Sequence, residues 1–114
     1  MARRYIPQRG DLVWLQFDPQ AGHEQRGLRP TLVVSSTIYN EKTGLALFCP
    51  ITNQAKGYPF EVLLPPGLKV TGAVLSDHVK NLDWQVRQAK KIAVAPESVV
   101  EAVVDRISAL IKRQ

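Results

Sequence analysis

From Leu12 to Val94 the chain never settles into a helical rhythm. It runs in short β-branched and aromatic stretches, each cut off by glycine, proline or a polar cluster. That pattern admits strands and turns and little else. The stretches are Leu12–Phe17, Thr31–Ser35, Leu45–Ile51, Phe60–Leu64, Gly72–Ser76 and a shorter one around Ile92–Val94. Val13, Leu15 and Phe17 share one face of the first run; Leu12, Trp14 and Gln16 share the other. Pro50, near the end of the third run, points to an edge strand or a bulge. Ser36–Gly44 reads as a turn or a short helical turn. Asp77–Trp84 stays open between a strand continuing through Val79 and a short helical turn.

The rhythm changes once, at the end. Pro96 suits a first helical position and Glu97 suits the first turn. Val99, Val100, Val103, Val104, Ile107, Leu110 and Ile111 then recur at three- and four-residue spacing and form one apolar stripe. Lys112 and Arg113 complement the negative end of that helix. The expected architecture is mainly β (α+β): a small barrel of about five to seven strands, closed by a C-terminal amphipathic helix. With 114 residues the chain is expected to form a single domain over 1–114.

Charge and inventory narrow the function. The net charge of +5 and the isoelectric point of about 9.7 favour an anionic partner. Only Arg3-Arg4, Lys90-Lys91 and Lys112-Arg113 are adjacent basic pairs, so the charge is a property of the fold and not of a tail. Cys49 is the one cysteine and there are two histidines, which rules out an internal disulfide and makes a poor metal set. No metal-ligand spacing and no phosphate-cradling glycine loop is present, so neither a metal nor another cofactor is expected. With no long apolar segment or signal pattern, the expected compartment is the cytoplasm, with no membrane association.

The stretch from Asp18 to Pro30 (DPQAGHEQRGLRP) is the one long polar connection between two strand-like runs. Connections of that length are uncommon and are often binding or active-site segments. Asp18-Pro19 ends the preceding strand, and Gly22 and Gly27 allow turns. Arg29 precedes Pro30 and is biased to extended backbone, which sets its guanidinium on the start of the next strand. Glu24 and Arg29 flank the Gly27 turn and can converge. The bland reading is a solvated turn with ordinary charges.

Taken together, Gly10-Asp11-Leu12-Val13-Trp14, Asp18-Pro19, Gly22-His23-Glu24-Gln25, Arg29-Pro30, Thr52-Asn53-Gln54 and Lys56-Gly57-Tyr58-Pro59-Phe60 resemble the MazF/PemK toxins, the ribosome-independent endoribonucleases of type II toxin–antitoxin pairs. The resemblance spans roughly residues 4 to 96. It implies a homodimeric SH3-like β-barrel that cuts single-stranded RNA at short sequences without metal. It also implies an acidic antitoxin, MazE-like, as partner. The family's functional glutamate, arginine and threonine fall on Glu24, Arg29 and Thr52. Asn53 stands where a second hydroxyl residue is expected, and the motif does not demand a histidine at His23.

These residue types suit the chemistry. Metal-free RNA cleavage uses the nucleotide's own 2′-hydroxyl, so the site must remove that proton, stabilise charge at phosphorus and protonate the departing 5′-oxygen. An arginine fork matches two phosphate oxygens, and as a permanent cation its expected role is electrostatic. Thr52 adds a neutral hydroxyl. Glu24 beside such a cation is a weakened base, so orientation of Arg29 comes first for it and general base second. His23 has a side chain suited to proton transfer, although an exposed loop residue is the plainer reading. For RNA binding the candidates are Lys56, Asn53, Gln54, Tyr58, Gln25 and His23, with Lys80, Lys90 and Lys91 extending a basic path. Tyr58 can stack a base; Phe60 fits the core by strand parity, and His78 is expected to be structural. Trp14, Ile38 and the helix stripe are candidate contacts for a second copy. Two other readings remain: a gyrase poison of the same fold, disfavoured because Leu110–Gln114 holds no aromatic, and a non-catalytic binding module.

Overall fold

The computed structural model describes residues 4–17 and 27–112. Its elements in order are β1 (Asp11–Gln16), β2 (Leu28–Val33), α1 (Thr37–Thr43), β3 (Leu45–Thr52), β4 (Glu61–Leu63), β5 (Ala73–Leu75), β6 (Lys80–Asp83), β7 (Lys90–Val94) and α2 (Glu97–Ile111), with a 3-10 turn at Ser76–His78 between β5 and β6. All pairings are antiparallel, in the order β4-β5-β3-β2-β1-β7, with β6 also on β3. This is the expected mainly β, barrel-like sheet with a C-terminal helix, its seven strands at the upper end of the five to seven expected. The two ends of that order, β4 and β7, are not paired to each other, so the sheet wraps without closing.

β3 is the hub. It pairs with β6 over Leu45–Phe48, with β2 over Phe48–Pro50 and with β5 over Ile51–Thr52. It is therefore an interior strand, and the expectation of an edge at Pro50 is corrected. The proline is tolerated because the β6 ladder has ended there and the β5 ladder has not begun. The missing N–H breaks no bond on that side. The partner is interrupted by the Ser76–His78 turn, which resolves the ambiguous Asp77–Trp84 segment as a helical turn followed by a strand.

The sheet buries both of its faces. Leu12, Leu32, Cys49, Ile51 and Val74 pack with Val99, Val100 and Val103 of α2. Val13, Leu15, Val33, Ala46 and Phe48 pack around Trp84 on the other side. Strict alternation along β1 to β3 produces this division, since neighbouring residues point to opposite faces. Each buried valine of α2 contributes about 1.5–3 kcal/mol. The helix stripe is core only over its first turns: Val104 and Ile107 pack against the cluster, whereas Leu110 and Ile111 are exposed. Pro96 serves as N-cap and Glu97 opens the helix, where it accepts from Arg9 at 3.0 Å.

Two buried polar nodes tie the sheet to its surroundings. Asn40 of α1 donates to Pro7 O at 2.8 Å and accepts, through its backbone oxygen, from Trp84 Nε1 at 2.9 Å. Asp11 accepts from the Tyr5 hydroxyl and from Gln8 N at 3.1 Å, and Lys91 Nζ lies 3.6 Å away. Burial first, then the Asp11 carboxylate, pushes the Tyr5 phenol far above its ordinary range. Lys91 thus faces Asp11, and it is not among the residues that wall the two hollows described below.

Candidate nucleic-acid interface

Arg29 is the second residue of β2 and is paired with Leu15 of β1. The strand begins earlier than the hydrophobic pattern indicated, at Leu28, so both Arg29 and Pro30 sit on ladder backbone. Thr52 is the last residue of β3, paired with Ala73 of β5. The two strand ends open onto one hollow of about 650 Å3, whose wall includes Arg29, Thr52, Asn53, Lys69, His78 and Lys80 with Trp14 and Phe17. No carboxylate belongs to the described wall of this hollow. Three cationic side chains, Arg29, Lys69 and Lys80, beside Trp14 and Phe17 make an anion site with aromatic surface next to it.

A second hollow of about 320 Å3 adjoins the first and is walled by Gln54, Lys56, Tyr58, Phe60, Glu61 and Asp77. Thr52, Leu75 and His78 belong to both walls. The structure therefore brings together Arg29, Thr52 and Asn53 in one hollow and Gln54, Lys56 and Tyr58 in the next. Glu24, Gln25 and His23 lie outside the described residues.

The loop between β3 and β4 owes its shape to a carboxylate. Glu61 accepts from Lys56 N at 3.0 Å and from Gly57 N at 2.8 Å, while Thr52 Oγ1 accepts from Gln54 N at 3.1 Å. From the helix, Arg106 Nε donates to Pro59 O at 2.9 Å. Backbone fixed this way leaves Lys56 and Tyr58 exposed to solvent, Tyr58 by 61%. The opposite wall depends on Gly72. Its φ is +118°, and a Cβ there would stand 2.0 Å from Thr52 O. Only a glycine lets the Lys69–Thr71 segment lie against Thr52.

Some groove residues escaped the sequence reading, whereas Lys80, named there as part of a basic path, does line the first hollow. Lys69 had no signal, because it lies in the connection between β4 and β5 and only the packing of that connection beside Thr52 carries it to the wall. Trp14 is 41% exposed and lines the groove. Lys80 Nζ stands 5.9 Å from the centroid of Phe17, a cation over an aromatic face at the groove's rim. Phe60 is half-buried and lines the second hollow, an intermediate outcome for a residue assigned to the core. His78, expected to be structural, has a side chain 57% exposed at the junction of the hollows. Cys49 is fully buried, its thiol pushed up to about 12 by burial and then by the Asp77 charge, so it is no nucleophile. Among the described residues no cluster of three His, Cys, Asp or Glu is placed to hold a metal ion. Among them, too, no helix is long and apolar enough to cross a membrane.

Comparison with known proteins bears on the family and the fold. Residues 8–111 match the family described as PemK-like, MazF-like toxin of type II toxin-antitoxin system. The endoribonuclease toxin MazF of Escherichia coli K12 is 51% identical over 100 residues, covering 87% of this chain and 89% of that protein. The crystal structure of MazF from Deinococcus radiodurans superposes with a TM-score of 0.86 at 53% identity, covering 95% of this chain and 98% of that one. A MazE-MazF crystal structure from the same organism superposes with a TM-score of 0.85 at 46% identity, covering 95% and 97%.

Proposed function

Because the chain belongs to the PemK-like, MazF-like toxin family, we propose that it is an endoribonuclease toxin whose paired hollows hold single-stranded RNA. The observation that carries the site assignment is the first hollow. There Arg29 and Thr52 sit at adjoining strand ends, and no described carboxylate repels a phosphate.

The reaction is transesterification. The 2′-oxygen forms a bond to phosphorus, the bond from phosphorus to the 5′-oxygen breaks, and the products carry a 2′,3′-cyclic phosphate and a 5′-hydroxyl. A base takes the 2′-hydroxyl proton and the 5′-oxygen gains one on leaving. DNA has no 2′-hydroxyl, so it binds without being cut. Arg29 holds the phosphate oxygens and offsets the charge that develops on them, with Thr52 as a second donor. Glu24 orients Arg29, with proton abstraction its second role. Gln25, His23, Asn53, Gln54, Lys56 and Tyr58 hold the strand around the cut, Tyr58 by stacking a base. No metal enters this scheme.

The same basic groove suits an acidic antitoxin peptide, as the MazE-MazF complexes of relatives suggest. Binding would be salt-sensitive and would exclude RNA. The active form is a homodimer working in the cytoplasm. The gyrase-poison reading is not favoured, since the curated relatives are endoribonucleases.

The test is cleavage of a long single-stranded RNA in excess EDTA with both product ends mapped. Wild type gives discrete cuts with cyclic phosphate and 5′-hydroxyl ends. Arg29→Ala keeps the fold and loses cleavage by at least about a hundredfold to a thousandfold. Full cleavage by Arg29→Ala would remove it from the site.

A further inference from the structure

The two hollows share three wall residues, Thr52, Leu75 and His78. A strand that fills both must pass all three. Leu75 offers it no polar atom. Thr52 is assigned to the phosphate. His78 has no assigned part, yet its side chain is 57% exposed and its ring carries a donor or acceptor at each nitrogen.

The ring also stands on a firm base. It ends the Ser76–His78 turn, whose first residue is fully buried and donates its N–H to Phe60 O at 3.1 Å. Val79 packs against the core on the other side, and Lys80 is registered against Phe48 of β3. Asp77 Oδ1 is 3.8 Å from His78 Nε2, too far for a hydrogen bond. Among the described residues neither ring nitrogen makes a hydrogen bond, and a side chain on so anchored a backbone is preorganised to receive a partner.

We infer that His78 is a specificity-determining contact, its imidazole hydrogen-bonding the base edge of the nucleotide that passes from the first hollow to the second. This rests on the reading of the hollows as the RNA groove. Sequence-specific RNA recognition works on such unstacked bases, through edge contacts from side chains held in place.

The experiment compares wild type, His78→Ala and His78→Gln on one long RNA, with all cut sites mapped. Steady-state kinetics on a short oligonucleotide carrying the wild-type site accompany it. His78→Ala is expected to raise KM about tenfold at unchanged kcat, the worth of one lost hydrogen bond. It should also accept sites that differ at a single nucleotide next to the cut. His78→Gln keeps a donor and an acceptor, so it should recover affinity and shift that nucleotide preference. Unchanged KM and cut sites in His78→Ala would overturn the inference while leaving the endoribonuclease reading intact. So would a fall in kcat alone with an altered pH profile, which would mark His78 as a proton carrier. An inactive wild type would instead remove the endoribonuclease reading itself, and this inference with it.

Discussion

The two walls of the groove are built differently. Arg29 and Thr52 sit on ladder backbone, one paired to β1 and the other to β5. Lys56 and Tyr58 sit on a loop held by the Glu61 carboxylate, the Arg106 guanidinium, the Thr52 hydroxyl and one backbone bond from Glu61 N to Tyr58 O. A ladder residue moves only if its sheet moves, whereas a loop held by a few hydrogen bonds can adjust. Groups that meet a reacting phosphate need the first kind of support, because small misplacements cost large factors in rate. Groups that grip flanking nucleotides tolerate the second. The division of labour proposed for the groove follows the division of backbone.

Gly72 offers the strongest way to break the ladder side. Its Cβ-less backbone approaches Thr52 O, and its φ of +118° is one that other residues resist. Gly72→Ala must move β5 or Thr52. The expected cost is about 3 kcal/mol or more in denaturant unfolding, from strain and overpacking together. Cleavage should fall further than the folded fraction does, because Thr52 leaves its place in whatever remains folded. A variant as stable and as active as wild type would show that the Thr52 wall is not held by this approach.

The strands were legible because alternation is a local signal. Val13 and Leu12 announce two faces whatever the fold around them, and the structure buries them in separate clusters. Arg29 was legible for a similar reason, since the following proline restricts it to extended backbone. Thr52, Lys56 and Tyr58 came forward through the family motif, which no periodicity would have supplied. Lys69, His78 and Trp14 were missed as groove residues because nothing near them in sequence reports the closure that brings them together. That closure depends on Gly72 lying against Thr52, a contact between backbones. Pro50 misled for a related reason: a rule about edges could not foresee a strand that changes partners halfway along one side.

The loop side is probed by Glu61→Gln. The carboxylate accepts from two backbone N–H groups, and an amide retains one oxygen without the charge. Stability should change by less than about 1 kcal/mol, since these bonds are exposed. KM for RNA should rise about tenfold at unchanged kcat as Lys56 and Tyr58 lose their fixed placement. If kcat fell as much as affinity, the loop would be part of the reacting geometry and the contrast between the walls would be wrong.

The smallest effect separates the strand from the loop by pH. Cys49 lies three residues before Thr52 on the same strand, buried, its thiol raised from 9.0 to about 12 by burial and by Asp77. The folded state holds the neutral thiol, while the unfolded chain releases its proton near the ordinary value. The stability this neutral thiol carries is therefore complete below about pH 9 and is lost as pH rises from 9 toward 12. At pH 10 the loss from this group is about 1.4 kcal/mol. Tyr5, also raised, adds to the alkaline decline from about pH 10. Denaturant unfolding of wild type and Cys49→Ala at pH 8 and pH 10 isolates the thiol: the variant should show the shallower decline. Because Cys49 belongs to β3, the unfolding it promotes should take cleavage and sheet together, at the same denaturant concentration. Cleavage lost well before the sheet would mean that the Thr52 end of β3 opens on its own, and that the ladder wall is not the firmer of the two.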